Sequence, residues 1–268
     1  MDNKRGNGNS LNINGKSVMV FASYGKMARD LAARWLRLAK KRISEKGSFT
    51  AALSGGETPA GFYRELAMAG KDNPVWGQTH IFQVDERHVP ADSPESNMGM
   101  IRRLLLDHVP ALSGNIHAVN TSLSLEESAL DYERQIRNVM EEGGFDLVLL
   151  GIGKDGHTAS IFPGKDNPVF KETGMLVAPV SSKQKNDRVT LTLAAINRAR
   201  QVIFLVSGGK KAEVLYEVLS APPEAALPAS LVKPETGELI FYADKDAASV
   251  IEAKVSILPR QGGSIKCN

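Results

Sequence analysis

The sequence predicts an α/β protein, a single-domain three-layer α/β/α arrangement on a mainly parallel, Rossmann-like sheet. Three observations lead there. Short apolar runs alternate with amphipathic helical patterns along nearly the whole chain, as a parallel sheet covered by helices on both faces requires. Two of those runs stop on glycine pairs just before a helix, at Ser54-Gly55-Gly56 and Ser207-Gly208-Gly209. No internal repeat or linker-like segment divides the 268 residues, a length one large domain can occupy.

In chain order, residues 17–22 predict a first strand and 24–46 an amphipathic helix. A second strand at 49–53 ends on the first glycine pair, and a helix follows at 59–69. The third strand, 80–84, stops at Asp85-Glu86-Arg87, and residues 97–106 have a helical pattern. A helix at 125–142 is opened by Ser124, with Glu126 and Glu127 in its first turn, the charge that a helix N-terminus favours. Leu147-Val148-Leu149-Leu150 is the next strand, followed by strands at 189–193 and 202–206 and a helix at 211–219. Residues 221–229, rich in proline, predict a loop. Residues 239–243 close the expected sheet, and 247–257 are helical or mixed. Residues 1–15 are expected to be a flexible leader, 16–258 the α/β domain and 259–268 a flexible tail.

Composition narrows the function classes. With 33 basic and 30 acidic side chains interspersed, the charge balance argues for neither nucleic acid nor a membrane as partner. The one cysteine, Cys267, rules out an intramolecular disulfide and a cysteine-rich metal site. No apolar run approaches the roughly 18 residues of a membrane-spanning helix, and the polar N-terminus carries no apolar signal region. The cytoplasm is the expected location, and a monomer or small homo-oligomer the expected assembly.

Chemistry in open α/β sheets collects beyond the carboxyl ends of the strands. The strand at 147–150 stops on Gly151 and Gly153 and delivers Asp155, Gly156 and His157 to the next turn. The loop ALSGGETPA leads into a helix N-terminus, an anion site to which the hydroxyls of Ser54 and Thr58 can add hydrogen bonds. It lacks both the lysine of a P-loop and the spacing of a dinucleotide fingerprint. In VDERHVP, Arg87 offers a planar fork for carboxylate or phosphate, while Asp85 and Glu86 can orient it. Asn97 reads as the N-cap of the following helix. In VSGGKK, Lys210 or Lys211 can complete an anion pocket. The five histidines show no short-spaced metal-ligand pair, and there is no GxSxG elbow. These residues point to metal-free acid–base chemistry on a small phosphorylated metabolite.

The segments ALSGGETPAGFY, VDERHVPADSPESNMGMIRRLLL, FDLVLLGIGKDGHTASIFPG, DRVTLTLAAINRAR, SGGKKAEVL and LPAS resemble, in order and spacing, the 6-phosphogluconolactonase family. The resemblance spans residues 18–244. It implies an enzyme hydrolysing a sugar-phosphate lactone, 6-phospho-D-glucono-1,5-lactone, in the oxidative pentose phosphate pathway, with no metal and no organic cofactor. By the same resemblance His157 is the catalytic base and Asp155 its orienting neighbour. Arg87, Gly55, Gly56, Thr58 and Lys211 match substrate-binding positions, and Arg188 matches an arginine before the TLTL strand. Glu57 and His88 depart from the family's commoner residues. Glu57 puts a negative charge beside the expected phosphate loop.

Two rivals remain at this level. The related glucosamine-6-phosphate deaminases carry a glutamate five residues after the corresponding histidine; here that position is Phe162, which cannot shuttle a proton. A non-catalytic sugar-phosphate sensor on the same fold is the other, and the presence of His157 counts against it.

Overall fold

Alternate residues of the inner strands feed two separate cores, the period-2 consequence of a sheet covered on both faces. The computed structural model describes residues 8–140, 143–164, 174–182, 186–222 and 227–257. Its main sheet contains β1 (Asn9–Ile13), β2 (Lys16–Phe21), β3 (Phe49–Leu53), β4 (Thr79–Gln83), β6 (Leu147–Leu150), β9 (Gln201–Val206) and β10 (Glu238–Asp244), in the order β1-β2-β10-β9-β6-β3-β4. All neighbours are parallel except β1 and β2. Phe49, Ala51 and Leu53 of β3, with Leu147 and Leu149 of β6, face one core together with α1 (Tyr24–Lys46), α2 (Glu57–Gly70) and α3 (Asn97–Leu104). Ala52, Val148 and Leu150 face the other, under α4 (Leu125–Val139), α5 (Leu193–Asn197), α6 (Ala212–Ser220) and α7 (Ser249–Ile257). The three-layer α/β/α expectation holds.

Local signals account for the helix starts. Ser23 caps α1, and Ser124 with Glu127 forms a reciprocal capping box on α4, each satisfying amides that the first turn leaves open. Ser96, not Asn97, is the N-cap of α3, accepting from the Gly99 amide.

Three further expectations are corrected. Part of the leader expected to be flexible is strand β1, folded back on β2 through Asn14-Gly15 with φ of 49° and 82°. Two successive positive φ angles are what a two-residue hairpin turn needs, and Asn-Gly supplies them. Residues 1–7 and the expected tail at 259–268, with Cys267, lie outside the described residues. Next, β10 does not end the sheet but lies between β2 and β9. Last, the strand expected at 189–193 is not in the main sheet. As β8 (Arg188–Leu191) it joins β5 (Asp85–Arg87) and β7 (Val177–Val180) in a separate antiparallel sheet ordered β5-β8-β7. Within β7, Pro179 lies on an edge strand, where a missing amide costs no inner ladder bond.

The topology sets the site. From β3 the chain crosses to β4 on one side, whereas from β6 it proceeds to β9 and β10 on the other. The crevice between the carboxyl ends of β3 and β6 is therefore the switch point of the sheet, where open α/β folds bind their ligands.

Candidate active site

After β6 the backbone turns sharply enough to hold its own histidine. The Gly153 amide donates to the His157 carbonyl at 2.8 Å, and the Gly156 amide to Gly153 O at 3.1 Å. The imidazole lies against Gly153 so closely that a β-carbon there would fall 2.0 Å from Nδ1. Only glycine admits that contact. Asp155 Oδ1 accepts from His157 Nδ1 at 2.5 Å and from the His157 amide at 3.3 Å. A proton on Nδ1 leaves Nε2 as the acceptor nitrogen. Burial opposes ionisation of Asp155, but the hydrogen bond and charge of His157 outweigh it and hold the carboxyl below its ordinary range. The Phe162 ring packs on the imidazole with centroids 4.8 Å apart.

The neighbouring loops lean on this turn. Lys211, in a short 3-10 turn after β9, donates from Nζ to Ile152 O at 2.6 Å. Burial, then the charge of Lys154, lowers its pKa, while Asp155 acts the other way. Lys210 is exposed, whereas Lys211 is half-buried against the turn after β6. The glycine turn that carries it is pinned by Asp244, whose carboxylate accepts from Ser207 Oγ and, at 3.0 Å, from the Gly208 amide.

On the far side, Arg87 and Arg188 are directly opposed across β5 and β8. Like charges in that register repel, and the carboxylates of Asp85, Glu86 and Glu95 offset the repulsion at Arg188. Asp85 Oδ2 lies 3.6 Å from Arg188 Nη1, and Arg87 Nη1 donates to the Glu95 carbonyl at 2.7 Å. Burial lowers the Arg188 pKa; Asp85 opposes this and Arg87 adds to it. Asp85 and Glu86 are buried rather than solvated. Glu86 accepts from the amides of Arg87, Asn97 and Met98 at 2.7, 2.7 and 2.9 Å, fastening α3 to β5. It thus orients the backbone of Arg87, not its guanidinium.

The glycine loop after β3 lies at the N-terminus of α2, with Gly56 as N-cap and Thr58 in the first turn. Asn97 packs over Gly55 so that a β-carbon there would meet its Oδ1 at 1.8 Å. Ser54 does not present its hydroxyl to a ligand, because Oγ donates to Leu149 O at 2.7 Å. Glu57 is exposed, and His88 is held against Ser128 of α4 at 3.1 Å.

The residues singled out from the sequence thus follow four adjacent strands of the main sheet, β4, β3, β6 and β9, except Arg188, which opens β8 of the small sheet. Missed were Asn97 in its packing role, Ser160 and the arginine register. Sequence carries no local signal for a contact between positions 85 and 160. A cavity of about 920 Å³ between α2 and α3, lined by Arg64, Met68, Lys71, Arg103 and His108 among others, shares none of these residues. Among the described residues no three His, Cys, Asp or Glu side chains gather to hold a metal ion, and no helix is long and apolar enough to cross a membrane.

A turn pairing Asp155 with His157, beside loops that carry Lys211 and Arg87 at a sheet switch point, gives the chain the crevice of a ligand-binding α/β protein. The chain belongs to the family described as glucosamine-6-phosphate isomerases/6-phosphogluconolactonase, whose model matches residues 22–241. It is 36% identical to the bovine 6-phosphogluconolactonase over 242 residues, covering 87% of this chain and 93% of that one. A 6-phosphogluconolactonase of Synechocystis is 41% identical over 216 residues, covering 77% and 86%. The crystal structure of 6-phosphogluconolactonase from Thermotoga maritima superposes with a TM-score of 0.72 at 35% identity, over 85% of this chain and 99% of that one.

Proposed function

We propose that the chain hydrolyses 6-phospho-D-glucono-1,5-lactone to 6-phospho-D-gluconate, the second step of the oxidative pentose phosphate pathway. The observation that carries this reading is His157, held at Nδ1 by Asp155 at 2.5 Å, in a chain similar to 6-phosphogluconolactonases over most of its length. The steps use only the chain's own groups. Nε2 takes a proton from a water molecule as its oxygen attacks the lactone carbonyl carbon. Asp155 stabilises the imidazolium that results. The tetrahedral oxyanion needs donors, which Arg87 or the glycine amides supply. Collapse breaks the bond to the ring oxygen, and the imidazolium returns its proton there. The nascent acid ionises to the carboxylate, and His157 is neutral again.

Phosphate recognition falls to Arg188, Lys211 and the Gly55-Gly56-Thr58 turn. Phe162 argues against the deaminase reading, since an apolar ring packs on the imidazole where that chemistry needs a carboxylate. The test is His157→Ala assayed on the lactone with spontaneous hydrolysis subtracted. Loss of a general base lowers kcat by about 10²- to 10⁴-fold, and a kcat within a few-fold of wild type refutes the mechanism. Assaying glucosamine-6-phosphate alongside separates the two chemistries.

A further inference from the structure

Parts of the site that the chain encodes far apart meet on one buried carboxylate. Asp85 Oδ2 accepts from Ser160 Oγ at 2.7 Å. Its Oδ1 and its backbone carbonyl accept from Asn97 Nδ2 at 3.3 and 2.8 Å, and Oδ2 also faces Arg188 Nη1 at 3.6 Å. Each partner belongs to a different piece of machinery. Ser160 lies three residues beyond His157, Asn97 fills the space over Gly55, and Arg188 is opposed to Arg87.

We propose that Asp85 is a positioning residue that holds the base-bearing turn, the arginine pair and the glycine loop in mutual register, with Ser160 as its strut to His157. This rests on the reading of His157 as the base, and it adds residues that touch no reacting atom. Two observations go beyond simple packing. First, a buried carboxylate is costly to desolvate, and this one takes its compensating hydrogen bonds from Ser160 on the His157 turn and Asn97 over Gly55. Second, the turn between His157 and Ser160 is strained. Ala159 has a φ of 49°, a left-handed conformation that is unfavourable for a non-glycine residue. Such a conformation persists where its neighbours over-determine it. Here Ser160 is held on both sides, its amide by Thr190 Oγ1 at 3.1 Å and its hydroxyl by Asp85. Removing the hydroxyl leaves the turn its backbone bonds, Ile161 N–H to Thr158 O at 2.9 Å and the Ser160 amide to Thr190 Oγ1, but cuts its tie to Asp85 and lets the imidazole drift from its working position.

Ser160→Ala tests this with the least disturbance, because it removes one buried oxygen. Its kcat on the lactone falls about tenfold or more, as small misplacements of a reacting group do, while KM stays within about twofold and the protein remains folded by circular dichroism. Asp85→Asn lowers kcat further. The double variant is no slower than Asp85→Asn alone, since both changes cut one linkage. A Ser160→Ala kcat within twofold of wild type overturns the proposal. So does a kcat loss matched by an equal loss of folded protein, or independent, multiplying losses in the double variant. If Asp85→Asn does not fold, Ser160→Ala decides alone. An inactive wild type removes the lactone reading and this inference with it; an active wild type with an unimpaired Ser160→Ala removes only the inference.

Discussion

The two ends of the main sheet use the same kinds of side chain to opposite effect. At the amino end Asp146 is fully buried and saturated. It accepts from Arg42 Nε at 2.8 Å, Lys46 Nζ at 3.0 Å, and the Thr50 amide and hydroxyl at 2.9 and 3.1 Å, with Arg200 at 3.8 Å. At the carboxyl end Asp155 is half exposed, and the histidine it orients keeps Nε2 as an acceptor. Two arginines there oppose each other across a strand pair, with the Asp85 carboxylate 3.6 Å from one of them. A saturated buried cluster holds the fold; a half-exposed pair with an open ring nitrogen has capacity left for a ligand.

That contrast can be broken from either side. Asp146→Ala strands its cations beside a buried backbone and costs about 3 kcal/mol of stability, read as a shifted urea midpoint. The kcat of the folded fraction stays at the wild-type value; a specific kcat loss would mean that the amino end takes part in the chemistry. Gly153→Ala is expected to do the reverse. The new β-carbon displaces a movable imidazole, so kcat drops about 100-fold while stability changes by about 1 kcal/mol or less. Equal losses in both would mean that the glycine serves the backbone rather than the base.

The smallest effect concerns pH. At the amino-end edge, His80 Nδ1 and His117 Nε2 lie 3.0 Å apart, and His117 stacks on Phe82. Burial, then the neighbouring His80, lowers the His117 pKa to about 4. The folded state therefore favours neutral His117. Its contribution is complete above the unfolded value near 6.5 and is lost as pH falls from there through about 4. Solvent screening at this half-buried site reduces the loss to about 1 kcal/mol. Urea melts at pH 7.5 and 4.5 should show it in wild type and not in His117→Gln; the same pH dependence in both would assign it to other groups.

Much of this was legible beforehand because it is local. Apolar period and glycine punctuation located β3, β4, β6 and β9. Capping chemistry located α4. Asp155 and His157 are two residues apart, so one turn brings them together. The β1 hairpin carries a local signal too, the Asn-Gly pair, within an otherwise polar segment. The small antiparallel sheet was not legible, because β5 is three residues long, β7 contains a proline and β8 continues the apolar pattern of a main-sheet strand.

The sequence by itself determined the order of strands and helices, the glycine-edged turns and the acid–base pair, all properties of neighbouring residues. Only the tertiary structure decided that Lys211 rather than Lys210 is half-buried against the turn after β6 and that Arg87 faces Arg188. It also decided that Asp85 gathers Ser160, Asn97 and Arg188. Those contacts join positions as much as about a hundred residues apart, and backbone periodicity does not encode cross-strand register or loop packing at that range.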